Sequence, residues 1–256
     1  MRLDRGTLSS PAQCVSLPDG YVLRTFDEID GTNAEALRAG CPHGLVVTAD
    51  RQTAGRGRQQ RVWQSPPGNL YATICVGLTD LRIAGQVAFV AALAVLDTVS
   101  ELVPGPAFAL KWPNDVLCCG RKLSGILIEA GETGGYAVGI GINLAHAPPD
   151  DEVRFPATSL HAASGADIPT AAAIGSLCRH FDRWYRRWQA DGFEPLRAVW
   201  LASAHGIGDT IAASTGSGVV EGRFEDLDSD GSLILVDAGG EAHAIVAGDV
   251  FFPETD

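Results

Sequence analysis

The sequence has no net positive charge, and it lacks the cysteine spacing of common metal and redox sites. Its 256 residues carry a formal net charge of −12 at pH 7, and an acidic chain is repelled by nucleic acid and by anionic membranes. Six cysteines are present, but no two have the C-x-x-C spacing of zinc ribbons or thioredoxin-like sites. These absences argue against general nucleic-acid binding and predict reduced, structural thiols in a cytoplasmic protein.

The sequence also lacks a secretory leader and a long uninterrupted apolar run. Residues 1–19 are mixed and polar, whereas a leader joins a positively charged start to an apolar stretch. The most apolar long segment, 83–103, is interrupted by Gly85, Gln86, Asp97, Ser100 and Glu101. Because 46% of the residues are hydrophobic, the chain can build a core. The polar interruptions lead us to expect that 83–103 is a buried helix of that core and not a membrane span.

Against this acidic background, residues 52–71 form a basic segment that contains Gly55 and Gly57. The sequence QTAGRGRQQRVWQSPPGNLY has arginines at 56, 58 and 61, and Arg51 comes directly before it. Glycine allows backbone conformations that are closed to other residues, and arginine offers a fixed fork of donors that matches phosphate and carboxylate. We therefore expect a flexible loop that folds over an anionic small molecule, most simply one bearing phosphate.

The order of the predicted elements indicates an α+β fold with a mixed or antiparallel sheet flanked by helices. We predict strands at 21–26, 45–49, 70–78, 107–111, 116–119, 123–130 and 136–144, and helices at 33–39, 83–103, 170–190 and 193–203. Thr32 followed by Glu35 predicts a capping box at the start of the first short helix. The aromatic stripe in helix 170–190 is typical of core packing.

After residue 204 the pattern changes to short strands separated by Gly, Ser and Asp turns. Strands predicted at 209–213, 218–226, 231–236 and 242–247 are typical of a small barrel or sandwich. We therefore divide the chain into a tail (1–20), a first domain (21–204) and a C-terminal domain (205–256).

Within the C-terminal part, residues 226–231 copy the start of an EF-hand calcium loop. Position twelve of such a loop would be Asp237 in place of glutamate, and the flanking segments are strand-like. An acidic hairpin turn is therefore the better interpretation.

Four segments combine small residues with one or two strongly polar groups on or beside predicted strands. They are DGTN at 30–33, the basic segment at 52–71, KWPND at 111–115 with KLSGILIE at 122–129, and VGIGINL at 138–144. A mostly apolar pocket with a few orienting groups on a sheet face is encoded in this way.

These segments resemble, in the same order, the successive motifs of the biotin protein ligases. The C-terminal GDT, GRFEDLDSDGSLIL and GDV sequences resemble the small SH3-like barrel of that family, so the resemblance covers nearly everything after the tail. It implies the biotin and lipoate ligase catalytic fold, which is like that of class II aminoacyl-tRNA synthetases, followed by an SH3-like β-barrel. It also implies a monofunctional ligase, because the 20 residues before Tyr21 are too few for the winged-helix DNA-binding domain of some relatives.

The resemblance implies a two-step reaction with biotin and ATP as substrates and Mg²⁺ accompanying the ATP. The biotin carboxylate attacks the α-phosphate to give biotinyl-5′-AMP and pyrophosphate. A lysine of a carboxylase's biotin carboxyl carrier domain then attacks the acyl phosphate and releases AMP. Neither step needs a protein nucleophile, so the site must supply positioning and charge neutralisation. Phosphates and water are expected to hold the Mg²⁺, and we assign no metal ligands.

Matching the motifs residue by residue implies a set of site positions. We expect Lys122, Arg56 and Arg58 to be catalytic, because they carry the cations of the matched motifs. The full set of matched ligand-binding positions is Thr32, Asn33, Gln52, Gly55, Arg56, Gly57, Arg58, Trp63, Lys111, Asn114, Lys122, Gly125, Gly139 and Ile142. Asp115 is left between capping or hydrogen-bonding its turn and serving a metal or the nucleotide.

The sequence departs from the family pattern at two places. Gly31 stands where the family has serine, which removes a hydroxyl hydrogen bond worth on the order of 1 kcal/mol. Gln59 and Gln60 stand where Arg-Gly is common, which removes one cation and one flexible hinge. These departures leave open a non-catalytic ligase-like protein that only binds biotin or an adenylate.

The rival enzyme is a lipoate–protein ligase, which shares the catalytic fold. The Arg-Gly-Arg loop and the barrel favour biotin. The edge of the predicted sheet is a candidate homodimer interface, and neither nucleic acid nor a membrane is an expected partner.

Overall fold

The computed structural model describes residues 15–77, 81–132, 134–216 and 218–252, apart from the side chains of residues 81–83. The strands are β1 (Val22–Ile29), β2 (Leu45–Gln52), β3 (Leu70–Gly77), β4 (Phe108–Lys111), β5 (Asp115–Cys118), β6 (Arg121–Ala130), β7 (Gly135–Ile142), β8 (Thr210–Thr215), β9 (Gly218–Leu227), β10 (Leu233–Val236), β11 (Ala242–Ile245) and β12 (Asp249–Phe251). The α-helices are α1 (Thr32–Arg38), α2 (Val87–Leu102), α3 (Leu160–Ser164), α4 (Thr170–Asp191) and α5 (Glu194–Ala202).

The first seven strands form one mixed sheet in the order β1-β2-β3-β7-β6-β5-β4. Strands β1 and β2 pair in parallel, and every other neighbouring pair in this sheet is antiparallel. The predicted α+β fold with a mixed sheet is confirmed. All seven strands were predicted, with ends displaced by up to a few residues; Leu78, predicted to end β3, lies outside the described residues.

The large sheet has a core face and a cavity face. In β7, Val138, Ile140 and Ile142 belong to the main hydrophobic core, where α2 and α4 pack against each other. Gly139 and Gly141 point to the opposite side, because successive side chains of a strand alternate between the faces of a sheet. The cavity described below opens on that second face.

Helix α2 is the central helix of the core. By length and composition alone, Ala84–Leu102 could cross a membrane. However, ten residues of α2 are buried, and α4, with its predicted aromatic stripe, packs along it. The prediction of a buried helix is therefore confirmed.

A second, five-stranded antiparallel sheet follows α5, in the order β11-β10-β9-β8-β12. The indole N–H of Trp112 donates to the carbonyl of Gly231 across 3.0 Å, which joins this sheet to the end of β4. The predicted small C-terminal β-domain is confirmed, while its boundary near residue 205 stays a prediction. Strand β12 was not predicted, because it has only three residues.

The predicted acidic hairpin lies between β9 and β10. One carboxylate oxygen of Asp228 accepts hydrogen bonds from the backbone N–H groups of Asp230 and Ser232, each across 2.8 Å. Asp226 forms an ion pair with Arg197 of α5. These carboxylates therefore stabilise a turn and a contact between helix and sheet.

The predicted capping box of α1 is wrong. Gly31 is the N-cap and Thr32 is already the first helical residue. The hydroxyl of Thr32 bonds to Gln52, and Glu35 pairs with Arg38. The acceptor for Thr32 comes from β2, 20 residues away, and local spacing does not reveal it.

Two terminal or loop segments also differ from expectation. Helix α3 lies in a segment predicted as a loop, although its start carries a cap signal, since the hydroxyl of Ser159 accepts from the backbone N–H of Ala162. Residues 1–14 of the predicted tail lie outside the described residues, whereas Val15 and Leu17 pack against the main core. The cysteines at 41, 75, 118, 119 and 178 are free.

Candidate active site

A cavity of about 810 Å³ opens on the face of the large sheet that is turned away from α2 and α4. Strands β6 and β7 form its floor, and the start of α1 forms one wall. The loop at 54–64 covers it, and residues from 148–157 and β12 close the other end. The cavity therefore draws its walls from both sheets.

Twelve of the fourteen site residues predicted from the sequence line this cavity. They are Thr32, Asn33, Gln52, Arg56, Gly57, Arg58, Trp63, Lys111, Asn114, Lys122, Gly125 and Gly139. Asp115 lines it as well. The fold thus brings all four polar segments to one place, and the role of each residue in binding or catalysis stays a prediction.

Ile142 and Gly55 do not line the cavity. Ile142 is fully buried in the main core, and its neighbours Gly141 and Asn143 face the cavity instead; its role in ligand binding stays a prediction. Gly55 lies within the loop, where a Cβ would come within 2.5 Å of the carbonyl oxygen of Trp63. Gly55 therefore permits close packing inside the loop.

Gln52 ties the loop to the start of α1. Its side-chain oxygen accepts from the backbone N–H of Thr32 across 2.9 Å and from the Thr32 hydroxyl across 3.2 Å. Its Nε2 donates to the hydroxyl of Ser65 across 2.9 Å, and that hydroxyl donates to the carbonyl of Trp63. This chain of hydrogen bonds fixes the end of the loop that carries Trp63.

Asn33 is buried and bonded on both sides of its amide. Its oxygen accepts from the hydroxyl of Thr73 across 2.7 Å, and its Nδ2 donates to Glu129 across 2.8 Å. Glu129 also pairs with Arg56 across 3.2 Å. A Cβ on Gly139 would lie 2.4 Å from the Asn33 oxygen, so only glycine admits this arrangement.

The basic loop is a small hairpin. The backbone N–H of Trp63 donates to the carbonyl of Gly55, and the N–H of Gly57 donates to that of Arg61. At its tip, Gln59 and Gln60 have φ values of 56° and 60°. This left-handed conformation is uncommon for residues other than glycine, so the tip carries strain where the family pattern has glycine.

The hairpin tip contacts the C-terminal sheet. Arg58 donates to the carbonyl of Gly248 across 3.2 Å and to Asn114 across 3.1 Å, and Arg61 pairs with Asp249. Burial lowers the pKa of the Arg58 guanidinium from its usual value. Burial alone would raise the pKa of Asp249, but its hydrogen bond with Arg61 holds the pKa below its usual value. The contacts with the C-terminal sheet thus stabilise the loop in the position in which it covers the cavity.

The sequence contains only two lysines, Lys111 and Lys122, and both line the cavity. Lys122 pairs with Asp115, which settles the position of Asp115 on the cavity wall. The ammonium of Lys111 lies 3.9 Å from the centre of the Phe155 ring, a cation–π contact. Burial lowers the pKa of Lys111 from its usual value.

Cations slightly outnumber carboxylates around the cavity, although the whole chain is acidic. The cationic side chains are Arg56, Arg58, Arg61, Lys111, Lys122 and Arg154, and the carboxylates are Asp30, Asp115, Glu129, Glu152 and Asp249. A phosphate or carboxylate that enters would compete with these carboxylates for strong, charge-assisted hydrogen bonds. The arrangement is suited to an extended anionic ligand.

Comparisons with known proteins identify the family. Residues 27–145 match the biotin/lipoate A/B protein ligase family, and residues 206–252 match the biotin protein ligase C terminal domain. The biotin--[acetyl-CoA-carboxylase] ligase of Paracoccus denitrificans is 40% identical over 235 residues, which span 87% of this chain and 97% of that protein. The chain belongs to the biotin protein ligase family.

Two further similarities extend this relationship. The biotin--[acetyl-CoA-carboxylase] ligase of Mycobacterium tuberculosis is 34% identical over 266 residues, covering 96% of this chain and 98% of that protein. The structure of the biotin protein ligase from Aquifex aeolicus in complex with biotin and ATP has a TM-score of 0.80 and 27% identity, covering 90% of this chain and 97% of that one. The predicted ligase fold is therefore confirmed over both sheets.

The cavity of this ligase-family chain is also lined by residues that motif matching did not predict. Glu129 shares the cavity face of β6 with Gly125 and Leu127, and this period-two pattern was an available signal. Asp249 and Phe155 carried no such signal, because they come from the C-terminal sheet and from an irregular segment. Their place in the cavity depends on tertiary structure.

Proposed function

We propose that this ligase activates biotin with ATP as biotinyl-5′-AMP and then transfers biotin to a lysine of a carboxylase's biotin carboxyl carrier domain. The observation that carries the proposal is the convergence of the arginine, lysine and small-polar motifs on one cavity. Relatives named biotin--[acetyl-CoA-carboxylase] ligases align over most of the chain. The related A. aeolicus structure holds biotin and ATP, the two substrates of the first step.

In the first step, two anions must approach each other in line. We assign Lys122, Arg56 and Arg58 to neutralise the biotin carboxylate and the α-phosphate as the carboxylate attacks and pyrophosphate leaves. Lys122 and Arg56 are each held by a carboxylate before ligand arrives. Cations that are already in place do not have to reorganise during the reaction, which is the main source of electrostatic catalysis.

The other polar and aromatic residues of the predicted set are assigned to the two ends of the ligand. Thr32 and Asn33 are assigned to the biotin ring, because they form the small polar wall at the start of α1, and Gln52 at the end of β2 is assigned to the biotin and carboxylate end. Lys111 and Asn114 are assigned to the nucleotide, and Trp63 to closure against the adenine and the biotin tail.

In the second step, the amine of the carrier lysine attacks the acyl carbon, and AMP leaves as the C–N bond forms. The amine proton is released with the amide product. No side chain of this chain becomes acylated, so its residues only have to keep the mixed anhydride oriented and away from water.

The nucleotide is expected to enter as its magnesium complex. The cavity carboxylates Asp115 and Asp249 are each ion-paired, with Lys122 and Arg61 respectively. A carboxylate neutralised in this way is a poor donor for Mg²⁺, which is held in such sites by substrate phosphates and retained water. We therefore assign no protein ligand to the metal.

Biotin-dependent exchange of pyrophosphate into ATP, followed by transfer to a carrier domain, tests the proposal. Exchange with lipoate but not with biotin would indicate the rival lipoate ligase. Absence of exchange with both, together with measurable biotin binding, would indicate a non-catalytic binder.

The remaining partners are also proposals. We infer that the ligase does not bind nucleic acid, because the chain has a net charge of −12, and that it works in the cytoplasm, where free cysteines such as those described here stay reduced. The edge strand β1 is a candidate homodimer interface. Sedimentation with and without biotin and ATP, and a DNA-binding assay, test these points.

A further inference from the structure

Two glycines on neighbouring strands form a flat seat beneath the indole of Trp63. Gly125 of β6 and Gly141 of β7 are direct cross-strand partners, and both line the cavity. A Cβ on Gly141 would lie 2.6–2.7 Å from Cε2, Cζ2 and Nε1 of Trp63, and a Cβ on Gly125 would lie 3.0 Å from Cζ3. The indole therefore lies closer to the Gly141 backbone than a Cβ would allow, and at Gly125 a Cβ would fit only if the ring moved by a few tenths of an ångström.

The backbone of Trp63 is fixed independently of the seat. Its N–H donates to the carbonyl of Gly55 across 2.9 Å, and its carbonyl accepts from the hydroxyl of Ser65 across 2.9 Å. The indole N–H is buried and has no hydrogen-bond partner among the described residues. The position of the indole is therefore determined by its packing against the two glycines and not by a hydrogen bond of the ring.

The seat also reaches Lys122. The ammonium of Lys122 lies 5.6 Å from the centre of the Trp63 ring, within the range of a cation–π contact. The Lys122 Cε lies 3.4 Å from the position that a Cβ of Gly125 would take, whereas the atoms nearest to a Cβ of Gly141 all belong to Trp63. A methyl group on Gly141 would thus displace the indole first.

We propose that Gly141, with Gly125, is a positioning residue of the ligase reaction. The glycine pair holds the Trp63 indole, and through it the Lys122 ammonium, in the arrangement that closes over biotin and the nucleotide. This inference rests on the proposed function, since its effect is measured on adenylate formation. Gly141 touches neither reacting atom and acts through Trp63.

The test is a double-mutant cycle between Gly141→Ala and Trp63→Phe, read by biotin-dependent pyrophosphate exchange. Gly141 does not have a positive φ, so its strand backbone conformation is also open to alanine. We expect kcat/KM for biotin to fall at least tenfold in Gly141→Ala, mainly through KM. In the Trp63→Phe background, where the ring is smaller, Gly141→Ala should lower kcat/KM for biotin by less than threefold. Gly85→Ala is the matched control, because a Cβ there meets nothing within 4 Å.

The outcomes separate the seat from the proposed function. Equal losses from alanine in both backgrounds, or a Gly141→Ala enzyme within threefold of wild type, would overturn the seat. A wild-type chain without exchange would instead overturn the proposed function. If Gly141→Ala does not fold, as judged by its melting temperature, Gly125→Ala takes its place in the cycle with the same two criteria.

Discussion

The ammonium of Lys122 and the carboxylate of Asp115 form an ion pair with 2.7 Å between Nζ and Oδ1. The two side chains are only 26% and 14% exposed, so the pair is more than a surface contact. It joins β6 to the start of β5 and holds the Lys122 cation on the cavity wall. Asp115, which the sequence left between two roles, thus orients the residue that we expect to meet the carboxylate and α-phosphate.

Replacement of Lys122 should remove charge stabilisation without unfolding the protein. We expect Lys122→Ala to lower kcat/KM for pyrophosphate exchange by about 100-fold or more, which corresponds to roughly 3 kcal/mol of transition-state stabilisation. Arg121→Ala is the control, because Arg121 is the adjacent cation but pairs with Asp150 outside the cavity. Near-normal exchange in Lys122→Ala, or an equal loss in Arg121→Ala, would contradict the assigned role.

Restoring serine at Gly31 should strengthen biotin binding. Gly31 has extended backbone with φ of −174°, and a Cβ there would meet nothing nearer than 3.8 Å. One hydroxyl hydrogen bond is worth on the order of 1 kcal/mol, so Gly31→Ser should lower the biotin Kd by about fivefold in calorimetry. Gly31→Ala adds the same carbon without the hydroxyl and should bind biotin like wild type. Equal affinities in both variants would refute a missing hydrogen bond at this position.

Glycine at position 60 should relieve strain in the hairpin tip. Gln60 has a φ of 60°, where a residue with a Cβ loses about 1 kcal/mol relative to glycine. Glycine also raises the conformational entropy of the unfolded chain, which offsets part of this gain. The net result should be that Gln60→Gly is more stable than Gln60→Ala by about 0.5 kcal/mol in denaturant unfolding. A Gly variant that is less stable than the Ala variant would show that the tip is not strained.

Removal of Asp249 should release the hairpin from the C-terminal sheet. Asp249 pairs with Arg61 at the tip and with Arg154, and proteolysis reports local opening. We expect trypsin to cut after the loop arginines several-fold faster in Asp249→Ala than in wild type, with peptides identified by mass spectrometry. Asp237→Ala, which removes a carboxylate paired with His243 on the same sheet, is the control. Unchanged cleavage in Asp249→Ala would show that the contact does not hold the loop.

Much of the fold was readable from the sequence, because strand and helix periods are local. The long apolar run became α2, and the aromatic stripe of α4 packs on it. The errors arose where a distant group decides the local structure. Thr32 matched a capping box, but the side chain of Gln52 takes its hydroxyl.

The site was readable as a set of residues but not as a geometry. Ile142 was matched to the pocket floor, whereas the alternation of the strand turns its side chain to the core and gives the cavity face to Gly141 and Asn143. The pairings of Arg56 with Glu129 and of Arg61 with Asp249 join residues that are distant along the chain. No motif encodes such a pairing, since the first depends on how the loop folds over the large sheet and the second on how the two sheets pack.

The location of both lysines in the cavity has a consequence for the outer surface of the enzyme. All the other residues in the Lys and Arg total are arginines. A guanidinium remains protonated and does not act as an amine nucleophile. A biotinyl adenylate that escapes would therefore meet no lysine amine on the exterior of its own enzyme. Among the lysines of this sequence, self-biotinylation is therefore confined to the two that line the cavity.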